Sequence, residues 1–286
     1  MNLFAYLDLN NPMVAWEVAI GRMKSADICY NDKKFELSIW EYDLIRNYTK
    51  YGANQKFINE LQLEYIRKTK YNNCVSRMKC LYFFETRNDA VFALKHWDID
   101  INEEFICEVE LKINNITKVD SEWITNFIDS DLNNEWMDYY WQGNTYKNKP
   151  LYELLVDGFG IIKNERLCRL AHKKIYETWP YSTPLLAMAM CGFQIKNIDN
   201  IAKIIPGIYS KNGKIKGSYL IDITDLDKYK KEICEAIDYA RSINDFPPVV
   251  RPPDKNAFFM LPSLQYLEID FENSYISTLL QKVHKK

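Results

Sequence analysis

Few residues in this chain are of a type and at a spacing that announce chemistry. Histidine occurs three times, at 96, 172 and 284. His96 stands beside Trp97 at the end of a predicted helix and fits a C-terminal cap. The seven cysteines, at 29, 74, 80, 107, 168, 191 and 234, are irregularly spaced and include no C-x-x-C pair. That pattern argues against a zinc site or a disulfide framework and for reduced thiols in a cytosolic protein. Gly207 and Gly213-Lys214 imitate a Walker loop, but five residues separate the glycines and Ile215 replaces the magnesium-binding hydroxyl. Asn212-Gly213 reads instead as the turn of a hairpin. Gly158-Phe159-Gly160 lacks the third glycine of a dinucleotide fingerprint. Carboxylate pairs suited to glycosidic chemistry are unmarked among 39 acids.

One constellation stands above this background. Cys74-Val75-Ser76-Arg77-Met78-Lys79-Cys80-Leu81-Tyr82-Phe83-Phe84-Glu85 runs on to Asp89-Ala90. Tyr139-Tyr140-Trp141-Gln142-Gly143 follows, then Pro150-Leu151-Tyr152-Glu153-Leu154-Leu155-Val156-Asp157-Gly158. Residue by residue, Glu153 also fits a surface acid at a strand end, Ser76-Arg77 a turn, and Tyr82 and Phe84 core. In order and spacing together, the segments resemble the ADP-ribosyltransferase fold family. The likeness is to a bacterial branch in which a Ser-Arg step enters a central strand. There a Tyr-Trp-Gly segment precedes a Pro-x-x-Glu-Leu-Leu-Val strand bearing the catalytic glutamate. The likeness covers residues 1–165, and the whole chain resembles the toxin component of bacterial anti-phage toxin–antitoxin–chaperone systems, whose members modify RNA.

The resemblance implies an α+β fold: an ADP-ribosyltransferase-like split antiparallel β-sheet core with surrounding helices, and an α/β extension over residues 166–286. It implies NAD as substrate, no metal, RNA as first acceptor and protein as second, with a cognate antitoxin and a chaperone as partners. Glu153 becomes the catalytic carboxylate, stabilising the oxocarbenium-like state formed as the nicotinamide–ribose bond breaks. Ser76 would orient Glu153 or the ribose, and Arg77 would pair with the pyrophosphate. Tyr82 and Trp141 would offer ring faces to nicotinamide or adenine. The first strand of this family usually supplies an Arg or His that touches NAD, and residues 3–7 offer neither. Tyr6 is the candidate for that slot, with Arg67 or Arg77 taking the phosphate. Two rival readings remain: NAD hydrolysis with water as acceptor, and an interaction protein without catalysis.

Composition narrows the field. Only 9 glycines occur in 286 residues, which disfavours glycine-built nucleotide cradles. The net charge of −2 does not announce a nucleic-acid binder. Its distribution is uneven. Residues 98–138 hold twelve acids against Lys112 and Lys118, whereas residues 163–216 hold ten Lys or Arg against Glu165, Glu177 and Asp199. Within the basic stretch, Arg166, Arg169, Lys173 and Lys174 are the candidate phosphate contacts, which would make binding strongly salt-dependent. The same two stretches also fit ordinary solvated faces. The N-terminus has no basic region of the signal-peptide kind. The longest apolar run, residues 185–193, falls well short of the ~20 residues a membrane helix needs.

The elements that must position these residues follow from periodicity. Residues 3–9 read as a first strand, 14–23, 35–51 and 54–70 as helices, and 80–84 as a strand. A short helix at 87–97 and an alternating strand at 104–113 come next. Residues 123–141 read as helical and 151–162 as strand. Beyond them lie a basic helix (165–179), an apolar one (184–193), a hairpin (204–223) and a helix over 225–243 capped by Thr224. A helix over 274–285 closes the chain. The change in texture near residue 165 suggests a boundary between residues 1–165 and 166–286.

Overall fold

The computed structural model describes residues 1–26, 34–52, 55–130, 134–211, 214–264 and 269–271. The expected terminal helix, Cys29, His284 and the turn residues Asn212-Gly213 lie outside them. In chain order the elements are β1 (Asn2–Tyr6), α1 (Pro12–Ile20), β2 (Arg22–Lys24), β3 (Lys34–Glu36), α2 (Ile39–Tyr51) and α3 (Gln55–Lys70). Next come β4 (Leu81–Phe83), α4 (Arg87–His96), β5 (Ile106–Asp120), α5 (Glu122–Phe127), α6 (Glu135–Trp141) and β6 (Tyr152–Ile161). The rest are α7 (Glu165–Thr178), α8 (Thr183–Lys196), β7 (Lys203–Lys211), β8 (Lys214–Asp222), α9 (Thr224–Lys228), α10 (Lys230–Ser242) and β9 (Ile269–Phe271).

The fold is α+β, with two antiparallel sheets and helices packed on them. One sheet runs β1-β5-β6-β2 with β4 also on β6; the other runs β3-β7-β8-β9. β6 organises the first sheet. One of its edges pairs with β5 along its whole length, with a register shift between Ile113 and Asn115 opposite Gly158 and Asp157. The other edge is shared: Leu154–Val156 pair with β4, and Phe159–Ile161 pair with β2. Ser25 bridges the gap between these partners. Its amide donates to the Gly158 carbonyl (3.0 Å), and its hydroxyl donates to Asp157 Oδ1 (2.7 Å). β4 also reaches β1 through a bridge between Phe4 and Phe84.

Gly158 is required at this split because a Cβ there would press into the backbone carbonyl of Lys112. Gly158→Ala is therefore expected to cost about 1–3 kcal/mol, as overpacking does when the backbone cannot give. A urea-denaturation midpoint unchanged from the parent would refute this.

Several boundaries differ from the sequence expectation for local reasons. The first helix stops at Ile20, three residues early, because Gly21 takes a left-handed φ of 96° and caps it. Residues 22–24 then pair as β2. The helix expected from residue 35 begins at Ile39 behind the N-cap Ser38, while Lys34–Glu36 pairs with β7. Residues 123–141 are two helices. The helix expected over 225–243 is interrupted at Tyr229, and Thr224 does not cap it: its amide and hydroxyl both donate to Asp222 Oδ1 (2.9 and 2.6 Å).

The boundary expected near residue 165 runs through a shared core. One hydrophobic cluster joins Leu3, Trp16, Phe83 and Val156 to Leu167, Leu185, Ile204 and Tyr219. α1, apolar apart from Glu17, packs against α7 and α8. The C-terminal elements are thus packed on the same body as the N-terminal ones.

Candidate functional site

Glu153 is the second residue of β6, opposite Val119 of β5. Strand alternation sends Leu154 and Val156 into the main core, while Leu155 joins a second cluster with Leu63, Val75, Tyr140 and Trp141. The Glu153 side chain shares that second face and meets Arg77. Ser76-Arg77 forms the turn that enters β4. The Ser76 carbonyl accepts from the amides of Lys79 and Cys80, and the Arg77 carbonyl accepts from the hydroxyls of Ser38 and Tyr82, both at 2.9 Å. With its backbone held at both ends, Arg77 directs its guanidinium into the fold.

That guanidinium is the hub of a buried cluster. Nε donates to Glu60 Oε1 (2.8 Å) and Nη1 to the Tyr140 hydroxyl (2.9 Å), with Glu153 Oε2 at 3.7 Å from Nη1. The rings of Trp40, Tyr82 and Tyr140 surround it at 5.9, 5.4 and 5.7 Å. Trp40 Nε1 donates to Glu60 Oε2 (3.2 Å). One helical turn on, Glu64 accepts from the Ser76 hydroxyl (2.9 Å) and from Arg67 through two bonds of 2.9 Å. Arg67 Nη1 also donates to the Cys74 carbonyl (2.8 Å). Arg77 is 3% exposed, Glu60 1% and Glu153 8%.

Glu41 completes the cluster in an unusual state. It stands three residues after the N-cap Ser38, the spacing of a capping box. Half of the box forms, with the Glu41 amide donating to Ser38 Oγ (3.2 Å). The reciprocal half cannot, because the Ser38 amide donates to the Met78 carbonyl (2.7 Å). Glu41 is fully buried, and neither of its carboxyl oxygens has a hydrogen-bond partner among the described residues.

Burial sets the protonation of these acids. It pushes the Glu41 carboxyl well above the usual carboxylate range, reinforced by Glu60 and Glu64 and opposed by Arg77. Burial also raises Glu153; Arg77 pulls it back down, and Glu60 adds to the rise. For Glu41 the linkage sign is clear. A carboxyl raised in the folded state binds its proton more tightly there than when unfolded. Its contribution is therefore most favourable in acid and is lost as pH rises through the folded value. Glu41→Gln is expected to stabilise the protein at neutral and alkaline pH and to flatten this loss. A urea midpoint for the variant below the parent's at neutral pH would contradict it.

A cavity of about 170 Å³ adjoins the cluster. Trp40 and Tyr82 line it, and the rings of both also flank the Arg77 guanidinium. Tyr6 lines it too, packed against Phe105 at 6.3 Å, but belongs to a different cluster from Glu153. The cations in its wall are engaged by protein. Arg22 binds Glu17 (2.7 Å), Lys203 binds Glu36 (2.9 Å), Lys24 donates to Asn200 (3.4 Å), and Lys79 has a protein partner as well.

The structure thus brings Arg77 to Glu153 and Tyr82 to Arg77, but holds Ser76 and Arg67 on Glu64, and it corrects two further expected roles. Arg77 is enclosed by Glu60 and the rings of Trp40, Tyr82 and Tyr140, so it is not exposed to a pyrophosphate. Trp141 is buried, its Nε1 donating to the Leu63 carbonyl (2.9 Å) and its ring packed edge-on against Tyr140; it is a pillar of the second core rather than an open ring face.

Arg166, Arg169, Lys173 and Lys174 lie on the exposed face of α7, whose buried face of Leu167, Ala171 and Ile175 packs into the main core. Three of them face acids: Arg166–Glu104 (2.6 Å), Arg169–Glu165 (3.2 Å) and Lys173–Glu177 (3.8 Å). His96 pairs with Glu122 (2.7 Å) and stacks on Phe92. Among the described residues, no group of three His, Cys, Asp or Glu is placed to hold a metal ion. No helix among them is long and apolar enough to cross a membrane.

Sequence reasoning missed Trp40, Glu41, Glu60 and Tyr140. The signal available was on α3, where Glu60 and Glu64 sit one turn apart on the stripe that buries Phe57 and Leu61. Acids on an apolar stripe mark a buried charge partner.

One family model, described as a protein of unknown function (DUF2441), matches residues 15–164, just over half of the chain. The match begins in α1 and ends after β6, so it contains every member of the Arg77 cluster. No curated protein and no solved structure matches the chain.

Proposed function

We propose that this chain, which belongs to the DUF2441 family of proteins of unknown function, transfers ADP-ribose from NAD to a macromolecular acceptor, RNA first. The reading is supported by one observation above the rest. Arg77 of the Ser-Arg step and the β6 glutamate, far apart in sequence, meet with Arg77 Nη1 at 3.7 Å from Glu153 Oε2, at the end of β6 where it begins to pair with β4. The resemblance places the Ser-Arg step and this glutamate in one site, although it assigns the contact with Glu153 to Ser76, whose hydroxyl donates to Glu64 instead.

In this reading the bond between nicotinamide N1 and ribose C1′ breaks with its electron pair going to nicotinamide. Glu153, ionised, stabilises the cationic C1′ centre. The acceptor's nitrogen or oxygen bonds to C1′, and its proton passes to Glu153, whose raised affinity for protons suits it to receive one. Arg77 is a positioning residue that keeps Glu153 charged against burial. Trp40 and Tyr82 offer ring faces to the nicotinamide or adenine end. The cavity, at about 170 Å³, is below the roughly 300–1,000 Å³ of whole-ligand pockets and encloses one end of a dinucleotide. By the same resemblance, an antitoxin and a chaperone would restrain the activity in a bacterial cytoplasm.

The test is incubation with NAD labelled in the ADP-ribose moiety, together with RNA, DNA or cell lysate. Label moving to RNA with release of nicotinamide is the expected result. Label on protein alone would move the acceptor, and free ADP-ribose equal to all NAD consumed would make the enzyme a hydrolase. No transfer and no nicotinamide would end the enzymatic reading. The rival is a non-catalytic interaction protein whose cluster merely fastens α2 and α3 to the sheet, and the enclosure of Glu153 favours it. That reading requires that NAD leave the melting temperature unchanged.

A further inference from the structure

The cavity beside Trp40 and Tyr82 has a definite chemical character. Its volume of about 170 Å³ slightly exceeds the roughly 150 Å³ of an apolar cavity that binds benzene. Three rings, Tyr6, Trp40 and Tyr82, line it, together with the thioethers of Met13 and Met23. Ring faces, ring edges and polarisable sulfur favour an aromatic guest over an aliphatic one.

Charged side chains also reach the wall, and each is already engaged. Arg22 Nε donates to Glu17 Oε2 (2.7 Å), and its Nη1 and Nη2 donate to the carbonyls of Asp199 (2.7 Å) and Ile201 (2.8 Å). The other Glu17 oxygen accepts from the Ile204 amide (2.8 Å). Lys203 donates to both oxygens of Glu36, at 3.0 and 2.9 Å. Lys24 donates to Asn200 Oδ1 (3.4 Å), and Lys79 has a protein partner too. An ion entering this space would lose its hydration and meet only counter-charges that are in use. An uncharged guest meets neither cost.

We propose that this cavity is a binding site for a small, uncharged aromatic ring. The guest lies against Trp40 and Tyr82, and both of these reach the Arg77 hub. Trp40 Nε1 donates to Glu60 Oε2 (3.2 Å), and the Tyr82 hydroxyl donates to the Arg77 carbonyl (2.9 Å). Occupancy therefore braces the two rings that flank the guanidinium. The inference goes beyond the transferase reading and holds whether or not the chain turns over NAD. Where it does, the uncharged adenine, not the cationic pyridinium, is the end of the dinucleotide that this cavity accepts.

Calorimetric titration of the full chain with benzyl alcohol, benzoate and benzylammonium, probes that share one ring and differ in charge, tests this. The expected result is saturable binding of benzyl alcohol, about tenfold or more tighter than either ion. The melting temperature should rise with its concentration. Cyclohexylmethanol, similar in shape but without the aromatic ring, should bind more weakly. Val14→Phe on α1 and Ile39→Phe on α2 each bring a ring of the protein's own to the wall. Each should lower the affinity for benzyl alcohol while melting as cooperatively as the parent; should one fail to fold, the other and the parent's titrations decide. The inference is overturned if benzyl alcohol does not bind, or if an ion or cyclohexylmethanol binds as tightly. It is overturned as well if the folded variants keep the parent's affinity. Ring binding without any transfer from NAD would leave this site standing and remove the transferase. Transfer from NAD without ring binding would do the reverse.

Discussion

On the proposed transferase reading, glutamine at position 153 is expected to lower ADP-ribosyl transfer by about 10²–10³-fold while leaving the fold intact, the scale seen when one preorganised group facing a developing charge is removed. The variant keeps the side-chain length and loses only the charge. Glu60 still accepts from Arg77 Nε, so the guanidinium is not left without a carboxylate. Stability should hold or rise. Burial raises the Glu153 carboxyl, so the wild-type residue's contribution is lost as pH rises through its folded value, and an amide has no such loss. The same shift sets the activity profile: transfer should climb with pH as Glu153 ionises, on a limb above the ordinary carboxylate range. Transfer measured with labelled NAD, alongside a thermal melt of the same sample, checks both halves. Full activity in a folded Glu153→Gln protein would assign the chemistry to another carboxyl.

The face of Glu153 was legible because it sits in a short motif whose neighbours set it; that Arg77 rather than Ser76 meets it was not. Leu154 and Leu155 must be buried on opposite sides of β6, and Glu153 shares the side of Leu155. The other half of the cluster was not legible. Trp40, Glu41 and Glu60 sit on α2 and α3 with no motif of their own, and their charges are buried through contacts with a turn distant in sequence. β2 was hidden for a different reason: three residues carry no period, and only Gly21 marks the end of the helix before it.

Charge sums along the chain misled in an instructive way. The acidic and basic stretches meet each other, through Glu104–Arg166 (2.6 Å) and a contact of Glu110 with Lys163. Lys196 and Lys203 pair with Glu235 and Glu36, from elements far away in sequence. A stretch that is strongly basic in sequence is thereby partly neutralised in space. Any phosphate contact on α7 would have to compete with these pairs, which are exposed and individually weak. Salt should therefore weaken the internal pairs and any RNA contact together.

Removing the Arg77 side chain is expected to be the most damaging single change to stability in the cluster. Arg77→Met leaves Glu60, Glu153 and Glu41 facing one another in a site closed to water, and breaking a buried pair from one side costs about 3–5 kcal/mol. The loss should depend on pH with a definite sign. Arg77 is what draws Glu153 and Glu41 down against burial, so both rise further once it is gone. Groups raised in the folded state favour folding in acid and lose that contribution as pH increases. The deficit of the variant should be smallest at low pH and grow toward neutrality. Adding Glu60→Gln should recover part of it, because one of the stranded charges disappears; the two changes touch the same bond and will not add. If Arg77→Met unfolds at the parent's urea midpoint at every pH, the guanidinium is not the hub that its contacts make it. If the deficit is large but independent of pH, shape rather than charge holds the cluster together, and Arg77 cannot be what keeps Glu153 ionised for catalysis.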